Sequence, residues 1–292
     1  MANDKKATKT IFQLVYRVLN ELYGQVEAIH GAKADAKIAK AMSDLSASYG
    51  KFTDTKMPPI DYSDPTTRFA YVFKYVASHA DYVRQVLDLV NAGLSEDMVK
   101  TKKLVVSCLG GGPGSELVGL LHYILANKNS KIESLTCYLC DREQAWADSW
   151  TEIGQELDAD IKLFVNFQGL DVTEPEDWAK QRKFLSADLF ISNYFASEIV
   201  RVKDKAAKFW KEIGASAKKG AKILFVDNNH TVFTDYISEL AETNGFKSVV
   251  AGLPEMTPRW DEEKSDLHEF LTKFGHSPKL KSKLFYGVYV KK

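Results

Sequence analysis

The stretch 104–121, LVVSCLGGGPGSELVGLL, constrains the fold more than any other part of this chain. It opens with the apolar run from Leu104 to Leu109. Gly110, Gly111, Gly112 and Gly114 then crowd into five residues, and Ser115-Glu116 leads into a second apolar, periodic segment. Strand, tight glycine turn and helix, in that order, are what a nucleotide-binding crossover needs. Glycine allows positive φ in the turn and lets a ligand approach backbone that a Cβ would shield. The first N–H groups of the following helix lack partners within it and can meet polar ligand atoms.

From residue 103 onward the pattern alternates. Strands are predicted at 104–109, 134–140, 161–167, 189–192, 222–226, 247–251 and 284–290, and helices at 115–126, 144–157, 178–184, 203–217 and 234–243. Such alternation gives an α/β domain, a parallel sheet with helices on both faces. The first hundred residues differ. Ile11, Leu14, Val15, Val18, Leu19, Leu22 and Tyr23 mark one face of a helix over 9–26, and a weaker, alanine-rich helix follows over 32–49. Residues 50–63, with Met57-Pro58-Pro59, read as a loop. Asp64-Pro65 is a favourable helix start, and the helix it opens runs to about residue 90, with Gly93 as its stop. The chain therefore divides into an N-terminal helical segment, 1–100, and a sheet domain, 101–292.

Size and composition suit this division. The 292 residues are 45% apolar, enough for a sizeable core. Lysine plus arginine equals aspartate plus glutamate, 39 each, which argues against a uniformly basic surface while leaving room for a local patch. One patch is suggested by the basic residues over 201–222 and by Lys279, Lys281, Lys283, Lys291 and Lys292; a solvated helix face or RNA contact would explain it. Cys137 and Cys140 have redox or metal spacing, but they sit in an apolar strand and would point to opposite faces. Together with Cys108 they read as buried apolar residues in a reducing compartment, with no metal site. No apolar run reaches the roughly 18 residues of a membrane span. The segment MANDKKATKT lacks the apolar core of a signal peptide, so the expected location is cytoplasmic, or else nuclear.

Gly110-x-Gly112-x-Gly114 behind a buried strand resembles the first motif of the class I S-adenosylmethionine-dependent methyltransferases. The dinucleotide pattern G-x-G-x-x-G is not met, because its last position falls on Ser115 or Leu117. The resemblance covers about 103–292 and implies a seven-stranded Rossmann-like sheet with S-adenosylmethionine across the carboxyl ends of its first strands. Asp141, which ends the second strand, could accept hydrogen bonds from both ribose hydroxyls, or else cap the next helix; Arg142 follows it. After the third strand, the resemblance implies Asp171 on the adenine amino group with Leu170 and Val172 beside the ring. A plain turn with a Thr173–Glu176 helix cap is the alternative. Gly110, Gly111, Gly112, Gly114 and Asn193 would surround the methionine part.

The acceptor side is expected at the end of the fourth strand, where Asn193 and Tyr194 follow Ser192, with Tyr71 of the helical segment as a further candidate. Ser192-x-x-Phe195 lacks the two prolines of the amino-group methyltransferase motif, so that substrate class is not carried over. Tyr71, Tyr75 and His79 share one helix face. They are either a packed aromatic stripe or, as the resemblance implies for an N-terminal lid, part of a cap that points Arg68, Tyr71 or His79 into the cleft. The segment 252–283, with Met256, Trp260 and His268, would lie over the substrate side, and His230 would be a base or a cap. One position departs from the family. Cys108 stands where an acid is often found, which leaves the methionine amino group to Glu116 or the N-terminal helices.

The expected function is an S-adenosylmethionine-dependent methyltransferase acting on RNA, protein or a small molecule. A nicotinamide-dependent oxidoreductase fits the sheet and Asp141 but not the glycine spacing. A non-catalytic scaffold that binds a partner through its helices fits the changes at Cys108 and after Ser192. Oligomeric state is not encoded in any pattern of the chain.

Overall fold

A computed structural model describes residues 10–49, 60–90, 96–156, 161–259 and 263–292. Its centre is a sheet of β1 (Lys103–Leu109), β2 (Ser134–Asp141), β3 (Lys162–Gly169), β4 (Leu189–Asn193), β5 (Lys222–Asn228), β6 (Phe246–Gly252), β7 (Glu255–Met256) and β8 (Ser282–Lys291). The order across the sheet is β3-β2-β1-β4-β5-β8-β6, with the two-residue β7 attached to β8. The first five strands are parallel, and β8 runs antiparallel between β5 and β6. This is the seven-stranded Rossmann-like α/β fold, with β7 as a short addition. The order reverses between β1 and β4, which makes that gap the switch point where open α/β sheets bind ligands.

Strand alternation sorts the core into two layers. On one face lie Val106, Cys108, Cys137, Leu139, Ile191, Leu224 and Val226; on the other lie Leu109, Cys140, Phe190, Ile223 and Phe225. Cys137 and Cys140 thus face opposite ways, as their strand spacing requires.

The helices are α1 (Ile11–His30), α2 (Ala34–Tyr49), α3 (Pro65–Tyr71), α4 (Ala77–Leu89), α5 (Glu96–Val99), α6 (Ser115–Ala126), α7 (Trp146–Glu156), α8 (Pro175–Ala179), α9 (Ala196–Ile199), α10 (Lys203–Ser216), α11 (Thr231–Thr243) and α12 (Phe270–Lys273). The helix expected at 178–184 is instead the short α8 followed by a 3-10 turn, Lys183–Ser186. Pro175 sets the earlier start, since proline fits the first helical turn. The Thr173–Glu176 cap, the alternative reading of this turn, does not form, because Glu174 occupies the cap position. Residues 50–59 of the expected loop, Gly93, Leu157 and Trp260 lie outside the described residues.

Asp64 caps α3 through its side chain, with Pro65 in the first turn, as expected. The long third helix is not uniform: a π turn, Val72–Val76, separates α3 from α4. Eight residues of regular α-helix leave two side chains about 80° apart. The wider turn removes part of that offset and brings the Tyr71 and His79 rings within 6.1 Å.

The N-terminal helices share one buried cluster with the sheet. The α4 helix lies on α6, and a Cβ at Gly119 would collide with the Ala80 carbonyl, so glycine sets how closely they approach. Phe69, Phe73, Tyr82 and Tyr123 are fully buried there, each stabilising the fold by about 1.5–3 kcal/mol relative to exposure. The segment between β6 and β8 fastens the cap from the far side. Thr10 Oγ1 donates to Asp266 at 2.7 Å and Tyr16 Oη to Glu269 at 3.2 Å, while Phe270 and Phe274 pack edge-on against Phe69. His268 stands edge to face with Tyr16 in this clamp, away from any cleft. Among the described residues no helix is long and apolar enough to cross a membrane.

Candidate functional site

The glycine turn follows β1 directly. Gly110, Gly112 and Gly114 have φ of 67°, 40° and 86°, which L side chains seldom adopt. Three bonds hold the turn closed: Gly111 N–H donates to the Cys140 carbonyl at 3.1 Å, Gly112 N–H to Asp141 Oδ2 at 2.9 Å, and Gly114 N–H to the Gly111 carbonyl at 2.7 Å. A Cβ at Gly110 would strike the Phe195 ring, and one at Gly114 would come within 2.6 Å of Trp150. These residues are glycine for space as well as for φ.

Asp141 ends β2 beside this turn. Its Oδ2 accepts from Gly112 N–H, and its Oδ1 accepts from Glu143 N–H at 2.9 Å. The carboxylate is thereby fixed in orientation and keeps spare acceptor capacity, since a carboxylate has about four lone-pair sites. Burial pushes its pKa up to about 6, although both backbone donors oppose the shift. Arg142 is exposed next to it, with its guanidinium 3.5 Å from the Ile60 carbonyl of the helical segment. After β3, Asp171 Oδ1 accepts from Thr173 N–H at 2.8 Å and Thr173 Oγ1 at 2.7 Å. One oxygen of Asp171 therefore shapes its own turn.

A cavity of about 220 Å³ opens at the switch point, and Gly110, Asp141, Arg142, Leu170, Asp171 and Val172 all line it. Six residues chosen from sequence, spread over three strand ends, converge on one space. The opposite wall is Phe195, Glu198 and Ile199 from the start of α9, with Phe209 of α10. Ile60 and Tyr62 close it from the cap, and Arg201 and Lys205 stand at its rim. Sequence reasoning missed this wall. Glu198 and Ile199 follow Phe195 by three and four residues, one helical turn, and that spacing was a usable signal.

The remaining candidates lie elsewhere. Gly111, Gly112 and Gly114 form the turn behind the cavity. Tyr194 is not in it. Its φ is 57°, and its ring stacks on His79 at 4.0 Å and 12°. Its hydroxyl lies 3.0 Å from Ser282 Oγ, and burial drives its pKa well up. Tyr194, expected on the acceptor side, packs instead in the layer beneath the cap, where its left-handed backbone directs it. His79 is buried in the same stack, with its pKa driven well down by burial and by Lys279, so it is a neutral packing residue. Arg68 is also turned away, donating to the Tyr62 and Ser63 carbonyls at 2.8 Å. His230 is a helix cap, accepting from Val232 N–H at 3.3 Å.

Asn193 differs. It is 4% exposed, and neither its Oδ1 nor its Nδ2 has a hydrogen-bond partner. Tyr71 stays half-buried within a group of rings, 5.4 Å from Tyr62 and 5.6 Å from Trp146.

No family model matches this sequence, and no curated protein matches it. Several solved structures are similar in fold. A proposed RNA methyltransferase from Pyrococcus horikoshii is 15% identical with a TM-score of 0.43, over 86% of this chain and 97% of that one. A SAM-dependent methyltransferase from Methanosarcina mazei is 9% identical with a TM-score of 0.43, over 68% and 96%. A precorrin-6Y C5,15-methyltransferase from Geobacter metallireducens is 13% identical with a TM-score of 0.41, over 72% and 89%. At such identities and TM-scores the likeness is one of chain path and says nothing of what this chain binds.

Proposed function

We propose that this chain is an S-adenosylmethionine-dependent methyltransferase. The observation that carries the reading is the convergence of Gly110, Asp141, Leu170, Asp171 and Val172 on one cavity at the switch point. The residues present fit the cofactor. Leu170, Val172, Phe195 and Ile199 offer apolar walls for a flat base, and Asp171 Oδ2 stands free of its own turn to meet the amino group. Asp141, already oriented by two backbone donors, suits a ribose diol. Gly110, which lines the cavity at the glycine turn, would lie beside the methionine part, and the unpaired Asn193 amide would serve its polar end.

When bound, the cofactor supplies a methyl carbon made electrophilic by a sulfonium. Displacement at such a carbon needs alignment and exclusion of water more than covalent help. The protein's share of the work is therefore positioning. The cap, through Ile60 and Tyr62, restricts the cavity, and Glu198, which burial pushes up to about 8, lines it as a candidate proton holder. Calorimetric titration with S-adenosylmethionine, S-adenosylhomocysteine and NADH tests the reading. Binding of the first two and not the third is expected; binding of NADH alone would overturn it.

A further inference from the structure

Side chains alternate along a strand, and at the β3 edge of the sheet the two faces fare differently. Leu163, Val165 and Phe167 pack against the layer that the N-terminal helices share. Lys162, Phe164 and Asn166 point the other way, and all three are exposed, Phe164 by 55%. The connection from β3 to β4 crosses this second face, but only at its carboxyl half. There Gln168 Nε2 donates to the Gln181 carbonyl at 2.9 Å, and Ser107 Oγ to the Phe184 carbonyl at 2.6 Å. Because α8 is only five residues long, the connection adds no long helix below that crossing.

The strand register shows what the open half presents. Thr136 of β2 lies opposite Phe164, and Tyr138 lies opposite Asn166. Tyr138 and Phe164 are thus diagonal neighbours on one face, about 8 Å apart from the strand spacing and rise. Tyr138 and Thr136 keep part of their exposure. On β1, Lys103 lies opposite Ser134 and is exposed on the same face.

The open half therefore carries two lysines, Lys103 and Lys162, and no acid. Glu133, just before β2, is bonded by Lys102 at 2.7 Å. Lys102 chiefly, with Lys162 and Lys103, holds its carboxyl below the ordinary value, so three lysines surround one acid. Lys180 and Lys183, on the crossing segment, are exposed as well.

Unpaired bases stack on aromatic side chains of sheet surfaces, and lysines beside them meet the phosphates. A duplex hides the faces of its bases. A second copy of this chain would set Lys103 and Lys162 against the same lysines. An acidic protein would satisfy the lysines but leave the Phe164 ring without a flat partner.

We infer that the open face of β1, β2 and β3, centred on Phe164 and Tyr138, binds single-stranded nucleic acid. The two rings stack on bases, Lys103 and Lys162 neutralise phosphates, and Asn166 and Thr136 hydrogen-bond to base edges. The crossing segment separates this platform from the cavity at the switch point. The platform rests on no part of the cofactor reading.

The test is fluorescence anisotropy on the full chain with a labelled single strand of about 12 nucleotides, within the usual range of such sites. The strand is used as RNA, as DNA and as the matching duplex, with polyglutamate as a competitor that has charge but no bases. The single strands are expected to bind at least tenfold more tightly than the duplex, and polyglutamate is expected not to displace them. Phe164→Ala is expected to weaken binding roughly 5- to 100-fold, the worth of one stacked base, and Phe164→Tyr to restore most of it. Lys103→Gln together with Lys162→Gln is expected to lower the slope of log affinity against log salt by about 1.4, the share of two phosphates. This pair covers the case in which Phe164→Ala fails to fold. The tighter of RNA and DNA identifies the source. No binding of either strand, equal binding of the duplex, displacement by polyglutamate, or full affinity in folded Phe164→Ala overturns the platform. A dimer that Phe164→Ala dissociates gives the face to a second copy and overturns it too.

Discussion

Two buried acidic regions sit in this molecule, and they are treated in opposite ways. On α4, Asp81 is 0% exposed and lies 2.6 Å from the Arg84 guanidinium. Gln85 Nε2 donates to it at 2.5 Å and Arg259 N–H at 3.0 Å, so the segment that follows β7 is tied to the helix. Burial raises its pKa, and Arg84 opposes the shift. At the cap–sheet seam, Glu116 is buried and Glu198 partly buried, with the Tyr49 hydroxyl 3.5 Å from Glu198 and Asp141 nearby. The first acid finds its counter-charge within the fold. The second has no ion-pair partner among the described residues. A buried charge is costly alone and tolerable when paired, so the place where a protein leaves it unpaired is informative about binding.

Several variants would sharpen or break this contrast. The largest effect is expected from Asp81→Ala, which removes the carboxylate from the buried Arg84 guanidinium. Loss of one partner of a buried pair costs about 3–5 kcal/mol, read from the denaturation midpoint. A negligible loss would mean that the pair is not closed as described. Next, Asp141→Ala removes an oriented acceptor from the cavity. A loss of roughly 10–100-fold in S-adenosylmethionine affinity is expected, the worth of about 1.5–3 kcal/mol for a hydrogen bond to a charged group.

Gly110→Ala places a methyl group at a φ of 67° and against the Phe195 ring. The left-handed backbone alone costs about 1–2 kcal/mol, and displacement of Phe195 is expected to lower cofactor affinity as well. Thermal unfolding with and without S-adenosylhomocysteine separates the two.

The smallest effect bears most directly on the contrast. Glu116 and Glu198 carry folded-state pKa values of about 8, above those of an unfolded chain. The folded state then holds more protons than the unfolded state between about pH 4.5 and pH 8. Stability conferred by these neutral acids is full at low pH and is lost as pH rises through that window. Glu116→Gln is expected to flatten the slope and to leave the protein at pH 8 no less stable than the unsubstituted chain. A slope unchanged by Glu116→Gln would place the proton uptake elsewhere.

The sheet was legible because its signals are local. Apolar runs of strand length, glycine after β1 and proline or aspartate at helix starts are set by neighbours in sequence, and the predicted strands match within two residues at each end. The cavity's near wall was legible for the same reason, since Asp141 and Asp171 sit at strand ends and strand ends meet at a switch point. Other features were not. The π turn at Val72–Val76 has no composition of its own. Tyr194 carried every mark of a site residue, yet a single positive φ sends its ring under His79.

The sequence by itself determined that this chain folds as an α/β sheet with a glycine turn after its first strand, and it named six residues that share a cavity. Only the tertiary structure decided which acids would find partners. Asp81 meets Arg84 three residues away, but Arg259 reaches it from across the fold, and Glu116, Asp141 and Glu198 come together from three separate segments. Pairing of charges depends on distance in space, and spacing along the chain fixes that distance only within one helix turn or one strand.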